Sequence, residues 1–119
     1  MVGGAVLHRH GSASVLVVDG TVRTTDVLAG LRRSGVGPVD VVVCRSGGAR
    51  VAELVARLGQ RHRLGLVLAP PGHRVPGAVV PPGGARLAVG RLELQVEVRG
   101  TTLDVVVAVP GGGAGSTPV

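Results

Sequence analysis

The segment VDVVVCRSGGARVAELVARL, residues 39–58, carries the two patterns that decide the fold. It opens with Val39–Val43, a nearly continuous apolar run of the kind found in strands buried on both faces. After a Gly47-Gly48 loop, apolar residues recur at i, i+3, i+4 and i+7, the spacing of an amphipathic helix. These residues are Val51, Leu54, Val55 and Leu58. The segment therefore predicts a buried strand that leads into a helix, which is the unit from which parallel sheets are built.

Upstream of this segment, the sequence predicts a hairpin and a first helix. Ala5–His8 and Val15–Val18 are short apolar runs on either side of a glycine-containing turn, as in a hairpin. Thr24 or Thr25 is expected to cap the helix, because threonine side chains accept hydrogen bonds from free N–H groups at helix starts. Gly35 is expected to end it, because glycine adopts the left-handed conformation that closes helices.

Downstream, the pattern continues with strands. The second helix is expected to stop at Gly59, and Leu64–Leu68 predicts a further apolar strand, with a shorter one at Ala78–Val80. From Leu92 to Val98 apolar and polar residues alternate, which is typical of a strand with one buried face. Leu103–Val109 returns as its antiparallel partner.

This order of elements predicts the fold class. The sequence β-β-α-β-α-β followed by an antiparallel hairpin indicates an α/β fold, in which a mixed sheet carries two helices and the hairpins extend the sheet. Residues 1–110 are predicted as a single α/β domain, and residues 111–119 as a flexible, Gly-rich tail. The loops Asp19-Gly20, Cys44–Arg50 and Pro70–His73 should meet at the carboxyl ends of the parallel strands, where such sheets hold ligands.

The composition excludes several classes of protein. Without Phe, Tyr or Trp, the chain cannot stack nucleobases on aromatic rings. One Cys excludes a disulfide framework and a Cys-cluster zinc site. No apolar run approaches the roughly 20 residues of a membrane span, and no signal peptide is readable, so a cytoplasmic location is expected. The formal net charge of +6, with Arg as the only basic residue besides His, permits a nucleic acid or another acidic partner.

The loop after Val43 carries the sharpest local motif. Cys44, Gly47 and Arg50 resemble the C-x-x-G-x-x-R phosphate loop of cysteine-dependent phosphatases, and the letters CRSG resemble the active loop of rhodaneses. The resemblance implies a catalytic Cys44 nucleophile and an Arg50 that binds an oxyanion, in a phosphatase or a rhodanese-like sulfurtransferase. Gly47, Gly48, Arg45 and Arg50 are then the candidate anion-binding residues. The alternative is a small Cys at the end of a buried strand, with its neighbouring Arg side chains in solvent.

A second resemblance covers more of the chain. The run Ala13–Gly20, the helix end Leu31–Val36 and the strand Val39–Val43 resemble the metallo-β-lactamase-type domain, most closely that of ComEC-type competence proteins of actinobacteria. Complete members are longer, so the resemblance implies half of a metallo-β-lactamase fold. Their metal motif H-x-H-x-D-H follows the matching strand, but here Arg45–Arg50 takes its place and contains neither His nor Asp.

The resemblance therefore implies a degenerate, metal-free and non-catalytic domain with no cofactor. Zinc requires three or four converging ligands, and His8, His10, His62 and His73 do not have that spacing. The domain is expected to act as a structural or interaction module linked to competence-type DNA uptake. Its expected partner is an unidentified protein or a second copy of the chain.

Overall fold

The structure, a computed structural model, describes residues 4–109 and 115–118 and confirms the mixed α/β class with two helices. The elements follow in this order: β1 (Ala5–His10), β2 (Ala13–Val18), α1 (Thr24–Ser34), β3 (Val39–Cys44), α2 (Ala49–Arg61), β4 (Leu64–Leu68), β5 (Ala85–Val89), β6 (Leu92–Arg99), β7 (Thr102–Ala108) and β8 (Gly115–Pro118).

The strands form two sheets. The first has the order β4-β3-β2-β1-β8, with a parallel centre of β2, β3 and β4 and antiparallel pairs where β1 joins β2 and β8. The second is antiparallel, in the order β5-β6-β7. Helical crossovers make the centre of the first sheet parallel, as predicted from the sequence.

Strands β2 and β3 at the centre of the first sheet are buried on both faces, which explains their continuous apolar runs. Val42 and Cys44 of β3 belong to the core on the helix side, whereas Val41 and Val43 pack against the second sheet. Successive side chains of a strand point to opposite faces, so one apolar run supplies both layers. The domain thus has three layers, with the helices on one side and the small sheet on the other.

The helix-side core confirms the apolar stripe predicted for α2. Val51, Leu54, Val55 and Leu58 are all buried there, together with Val27, Leu28 and Leu31 of α1. Each such side chain contributes about 1.5–3 kcal/mol by leaving water. Because no aromatic ring is available, branched aliphatic side chains alone fill this layer.

The C-terminal hairpin forms as predicted but does not extend the first sheet. Leu92, Leu94 and Val96 are buried while the alternate residues of β6 are exposed, so the strand has one apolar face. Burying that face requires stacking on the open face of the first sheet rather than lying beside its edge. Strand β5, which the sequence did not predict, completes the second sheet. The predicted strand Ala78–Val80 is reduced to a single bridge between Val79 and Leu68.

The helix ends differ in part from the predictions. Gly35 ends α1 in the left-handed conformation, with φ of 68°, as expected. Neither Thr24 nor Thr25 caps it, because the N-cap position is Arg23, which makes no side-chain capping hydrogen bond. Gly59 does not stop α2, which continues to Arg61.

Part of the segment predicted as a flexible tail forms a strand. Gly115–Pro118 lies along β1 as β8, with Leu7 opposite Thr117. The outer backbone edge of β1 provides donors and acceptors for this pairing, which is the physical reason a Gly-rich segment can become a strand here. Residues 110–114 and 119 lie outside the described part of the chain. Neither helix is long and apolar enough to cross a membrane.

Candidate functional site

The loops after β2, β3 and β4 lie together at the carboxyl edge of the parallel strands. The Arg45 N–H donates to the Val18 carbonyl at 2.8 Å, and the Arg74 N–H donates to the Gly47 carbonyl at 2.9 Å. Parallel strands end at the same edge of the sheet, so this meeting follows from the topology. The loop Arg45–Arg50 occupies the middle of this edge.

Cys44 ends β3 with its side chain inside the core on the helix side. It is 0% exposed and packs within that apolar cluster. Burial raises the pKa of Cys44 to about 12, because the thiolate would lose its hydration there. At neutral pH the side chain is therefore a protonated thiol that is shielded from solvent.

Arg45 joins the loop to the second sheet. Its Nε donates to the Leu103 carbonyl at 3.2 Å, and its Nη2 lies 3.2 Å from Oδ1 of Asp104. The Leu103 N–H in turn donates to the Arg45 carbonyl at 3.0 Å. Arg99 pairs with the other carboxylate oxygen of Asp104. The guanidinium predicted to bind an anion thus already holds a carboxylate of the chain itself.

Gly47 is in close contact with the loop that follows β4. A Cβ atom at Gly47 would lie 2.6 Å from Cα and 2.7 Å from Cβ of His73, distances that folded proteins do not accommodate. The backbone of residue 74 is bonded to the Gly47 carbonyl, so this neighbour cannot easily move away. The position therefore has no room for a side chain of any kind.

Gly48 and Arg50 lie at the exposed start of α2. Gly48 is the N-cap residue, in an extended conformation without a side-chain capping bond, and the first turn of the helix contains no acidic residue. Arg50 is exposed in that turn, whereas the Cys44 side chain is enclosed in the core. The structure therefore does not bring a reactive thiol to the predicted anion-binding residues.

Asp19 closes the turn after β2. Its Oδ1 accepts a hydrogen bond from the Thr21 N–H at 2.8 Å and another from the Thr21 hydroxyl. Its own N–H donates to the Gly4 carbonyl at 2.8 Å. These contacts assign the carboxylate to the turn.

The histidines lie in separate places. Half-buried His8 lies on β1, where burial lowers its pKa, and His10 lies at the end of the same strand. Nδ1 of His62 lies 2.9 Å from the Gly37 carbonyl oxygen, and Nδ1 of His73 accepts a hydrogen bond from the Val75 N–H at 3.1 Å. Across residues 4–109 and 115–118, no three His, Cys, Asp or Glu side chains form a group that could hold a metal ion.

The ion pairs of Asp104 with Arg45 and Arg99 were not predicted from the sequence. The available signal was one carboxylate in the apolar run from Leu103 to Val109, where a charge needs a partner. Arg45, which provides that partner, lies 59 residues away in sequence. No local pattern links the two positions.

Comparison with solved structures finds the same fold in metallo-β-lactamases. A B3 metallo-β-lactamase with an active-site glutamic acid matches with a TM-score of 0.67 at 15% identity, over 96% of this chain and 55% of that chain. The Rm3 metallo-β-lactamase matches with a TM-score of 0.68 at 17% identity, over 94% of this chain and 53% of that chain. The SMB-1 metallo-β-lactamase in complex with mercaptoacetic acid matches with a TM-score of 0.60 at 15% identity, over 88% of this chain and 56% of that chain.

These matches establish the fold and nothing finer. The chain spans about half the length of each of these enzymes. No protein family matches the sequence, and no curated protein matches it either. The metallo-β-lactamase-like fold implied by the sequence resemblance is confirmed.

Proposed function

We propose that this chain is a metal-free, non-catalytic domain of metallo-β-lactamase-like fold that serves as a structural or interaction module. The fold implies a zinc site, so the residues at the corresponding loop must be tested for their ability to hold zinc. The chemistry of Arg45–Arg50 does not fit a cation, because its charged side chains are both guanidinium groups and it has no imidazole, thiolate or carboxylate.

The observation that carries the proposal is the packing of Gly47 against His73. The metal motif of the resembling family would place a histidine at this position. Here a single added carbon would overlap the backbone of the neighbouring loop. The first ligand position of that motif, Arg45, is bonded to Asp104 of the second sheet. The loop is thus built to connect two layers of the domain, which is a structural role.

The burial of Cys44 supports the same proposal over the enzymatic alternative. A cysteine nucleophile must be a thiolate at working pH and must reach its substrate. Cys44 is fully enclosed, and its pKa is raised to about 12. The proposal therefore assigns no catalytic role to Cys44 or Arg50.

Two measurements on the purified chain test this proposal. Metal analysis after exposure to excess zinc and buffer exchange should find no stoichiometric zinc. Alkylation of Cys44 by iodoacetamide should be slow at pH 7 and unaffected by phosphate, and Arg50→Ala should leave the rate unchanged. One tightly bound zinc per chain would contradict the metal-free assignment. Fast labelling that phosphate blocks, with the block lost in Arg50→Ala, would favour the phosphatase or sulfurtransferase reaction instead.

The link to competence-type DNA uptake is the finer part of the proposal. It is supported by the order of the Ala13–Gly20, Leu31–Val36 and Val39–Val43 motifs in the sequence. Removing this coding segment from its host should lower the frequency of transformation by added marker DNA. An unchanged frequency, with growth and DNA repair also unchanged, would contradict the link.

A further inference from the structure

The outer edge of β7 presents backbone groups that no strand in the described part of the chain uses. The N–H and carbonyl of Leu103 point away from β6, because they bond to the carbonyl and the guanidinium of Arg45. Backbone directions repeat every second residue along a strand, so Val105 and Val107 point the same way. In the described part of the chain, no hydrogen bond reaches their outward N–H or carbonyl groups.

The other sheet edges carry features that discourage pairing. On β4, Val79 bonds to the backbone of Val67 and Ala69, at 2.8 and 3.1 Å. Strand β5 follows the pair Pro81-Pro82 and carries Arg86, and β8 contains Pro118, which has no N–H to donate. Strand β7 has no proline and one charge, Asp104, whose carboxylate is already held by two arginines.

A groove runs along this edge between the two sheets. Val105 and Val107 of β7 and Val6, His8 and Val17 of the first sheet line it, and the ion pair of Arg45 and Asp104 lies among the lining residues. On the outer face of the same strand, the Val106 side chain is 65% exposed, the most exposed of the large hydrophobic residues in the described chain. Unbonded outward backbone groups and an exposed valine therefore coincide on one strand.

We infer that β7 pairs antiparallel with β7 of a second copy of this chain. The open groups fix the register, because both copies must use Val105 and Val107. When Val105 of one copy lies opposite Val107 of the other, each donates its N–H to the opposite carbonyl. That register centres the two-fold axis on Val106, so the two exposed Val106 side chains meet. An interface about a two-fold axis must be self-complementary. This register meets that condition, because the axis exchanges the Val105–Val107 pair with its symmetric copy.

The charges of the strand agree with this register. Asp104 of one copy falls opposite Ala108 of the other, so no like charges face each other across the axis. The inference names the partner of the proposed interaction module, and in that respect it rests on the proposed function. The assignment as metal-free and non-catalytic does not depend on it.

The mass of the purified chain in solution tests the pairing first. Sedimentation equilibrium should give twice the chain mass of 11.9 kDa at micromolar concentration. Val106→Arg should weaken the dimer about tenfold or more, because it replaces an apolar contact on the axis with two facing cations. Circular dichroism should show an unchanged fold, since this side chain points to solvent. A chain that remains monomeric at about 100 µM would overturn the inference. A dimer indifferent to Val106→Arg would overturn it as well.

A disulfide trap tests the register. A residue pair on the axis of such a ladder has Cα atoms about 4.5 Å apart, within the range that a disulfide spans. Val106→Cys should therefore form a covalent dimer under mild oxidation, while the native Cys44 is buried. Gln95→Cys is the matched control, since it lies opposite Val106 on the same exposed face but one strand further from the axis. Equal cross-linking of both variants would overturn the register.

These outcomes are separable from those of the proposed function. Zinc binding or a reactive Cys44 would contradict the function and leave the dimer intact. A monomer without zinc and with an inert thiol would contradict only the pairing.

Discussion

At the scale of the residue, the loop after β3 depends on one position without a side chain. Gly47 allows two loops to approach so closely that their backbones touch. Because there is no space for a Cβ atom, a metal-binding side chain at residue 47 is sterically excluded.

Gly47→Ala tests this contact. It should lower the free energy of unfolding by about 1–3 kcal/mol, because the methyl group overlaps His73 and the neighbouring loops must shift. Gly83→Ala is the control, since a Cβ added at Gly83 would meet no atom within 4 Å and the φ of this residue is not positive. Urea unfolding compares the two variants. Equal stability of both would show that the loops are free to separate.

Burial of Cys44 should make the free energy of unfolding fall at alkaline pH. Its pKa is about 12 when folded and about 8.5 in an unfolded chain, so above pH 8.5 the unfolded state loses the proton first. Stability is then fully present below about pH 8.5 and falls by up to about 1.4 kcal/mol per pH unit on the way to pH 12. The chain has no Lys or Tyr, so no other side chain titrates between about pH 9 and 11.

Unfolding in urea at several pH values from about 8 to 11, which covers most of the interval between the two pKa values, measures this fall. Cys44→Ala should remove the slope while also costing some stability, because it removes the sulfur from a packed core. The same slope in both proteins would refute the assignment to Cys44.

The sequence located the loop at this scale but not its contacts. The apolar run before Cys44 was enough to offer a buried cysteine as one of two interpretations. The pairing of Arg45 with Asp104 and the contact of Gly47 with His73 connect residues far apart in the chain. Such contacts depend on how the layers stack, and no local pattern encodes them.

At the scale of the element, the spacing of apolar residues correctly predicted which faces of α2 and β6 are buried. The apolar stripe of α2 and the apolar residues of β6 are buried as expected, because in each element the spacing places these side chains on one face. The end of α2 was wrong because Gly59 costs a helix only about 1 kcal/mol, which packing of Leu58 offsets. Strand β5 was missed because its pairing with β6, rather than its own composition, makes it a strand.

The start of α1 offers a stabilising substitution. Arg23 occupies the N-cap position with φ of −111° and ψ of 116°, an extended conformation compatible with a capping side chain. Arg23→Asp should raise the free energy of unfolding by about 0.5–2 kcal/mol, since it adds an acceptor and a negative charge at the helix start. Arg23→Ala controls for loss of the arginine alone. A free energy of unfolding for Arg23→Asp that is no higher than that of Arg23→Ala would contradict the expected cap.

At the scale of the whole molecule, the sequence predicted the layers only in part. The α/β class and the helix layer followed from the order of elements. The second sheet did not, because a hairpin with one apolar face can lie beside a sheet or stack on it. Stacking buries Val15 and Val17 of β2, which a single sheet would have left in water on that side.

Removal of β8 tests how much the first sheet depends on it. The sequence predicted residues 111–119 as a flexible tail, whose removal would cost no stability, whereas the pairing of β8 with β1 predicts a cost. Deleting residues 115–119 should lower the free energy of unfolding by about 1–3 kcal/mol, through the loss of ladder hydrogen bonds. Replacing the same residues with a proline-rich segment of equal length should lower it similarly, because proline has no N–H to donate to the ladder. An unchanged melting temperature in both would support the expectation of a dispensable tail.

The β1–β8 pairing also dictates an order of assembly. Val6 lies opposite Pro118, so this ladder joins positions about 110 residues apart, and closing so long a loop costs entropy that neighbouring strands avoid. Strands β1 to β4 and both helices are contiguous over residues 5–68 and can come together while the rest of the chain is still leaving the ribosome. Strand β8 follows the other strands of the first sheet along the chain, so during synthesis its pairing with β1 is the last contact of that sheet to become possible.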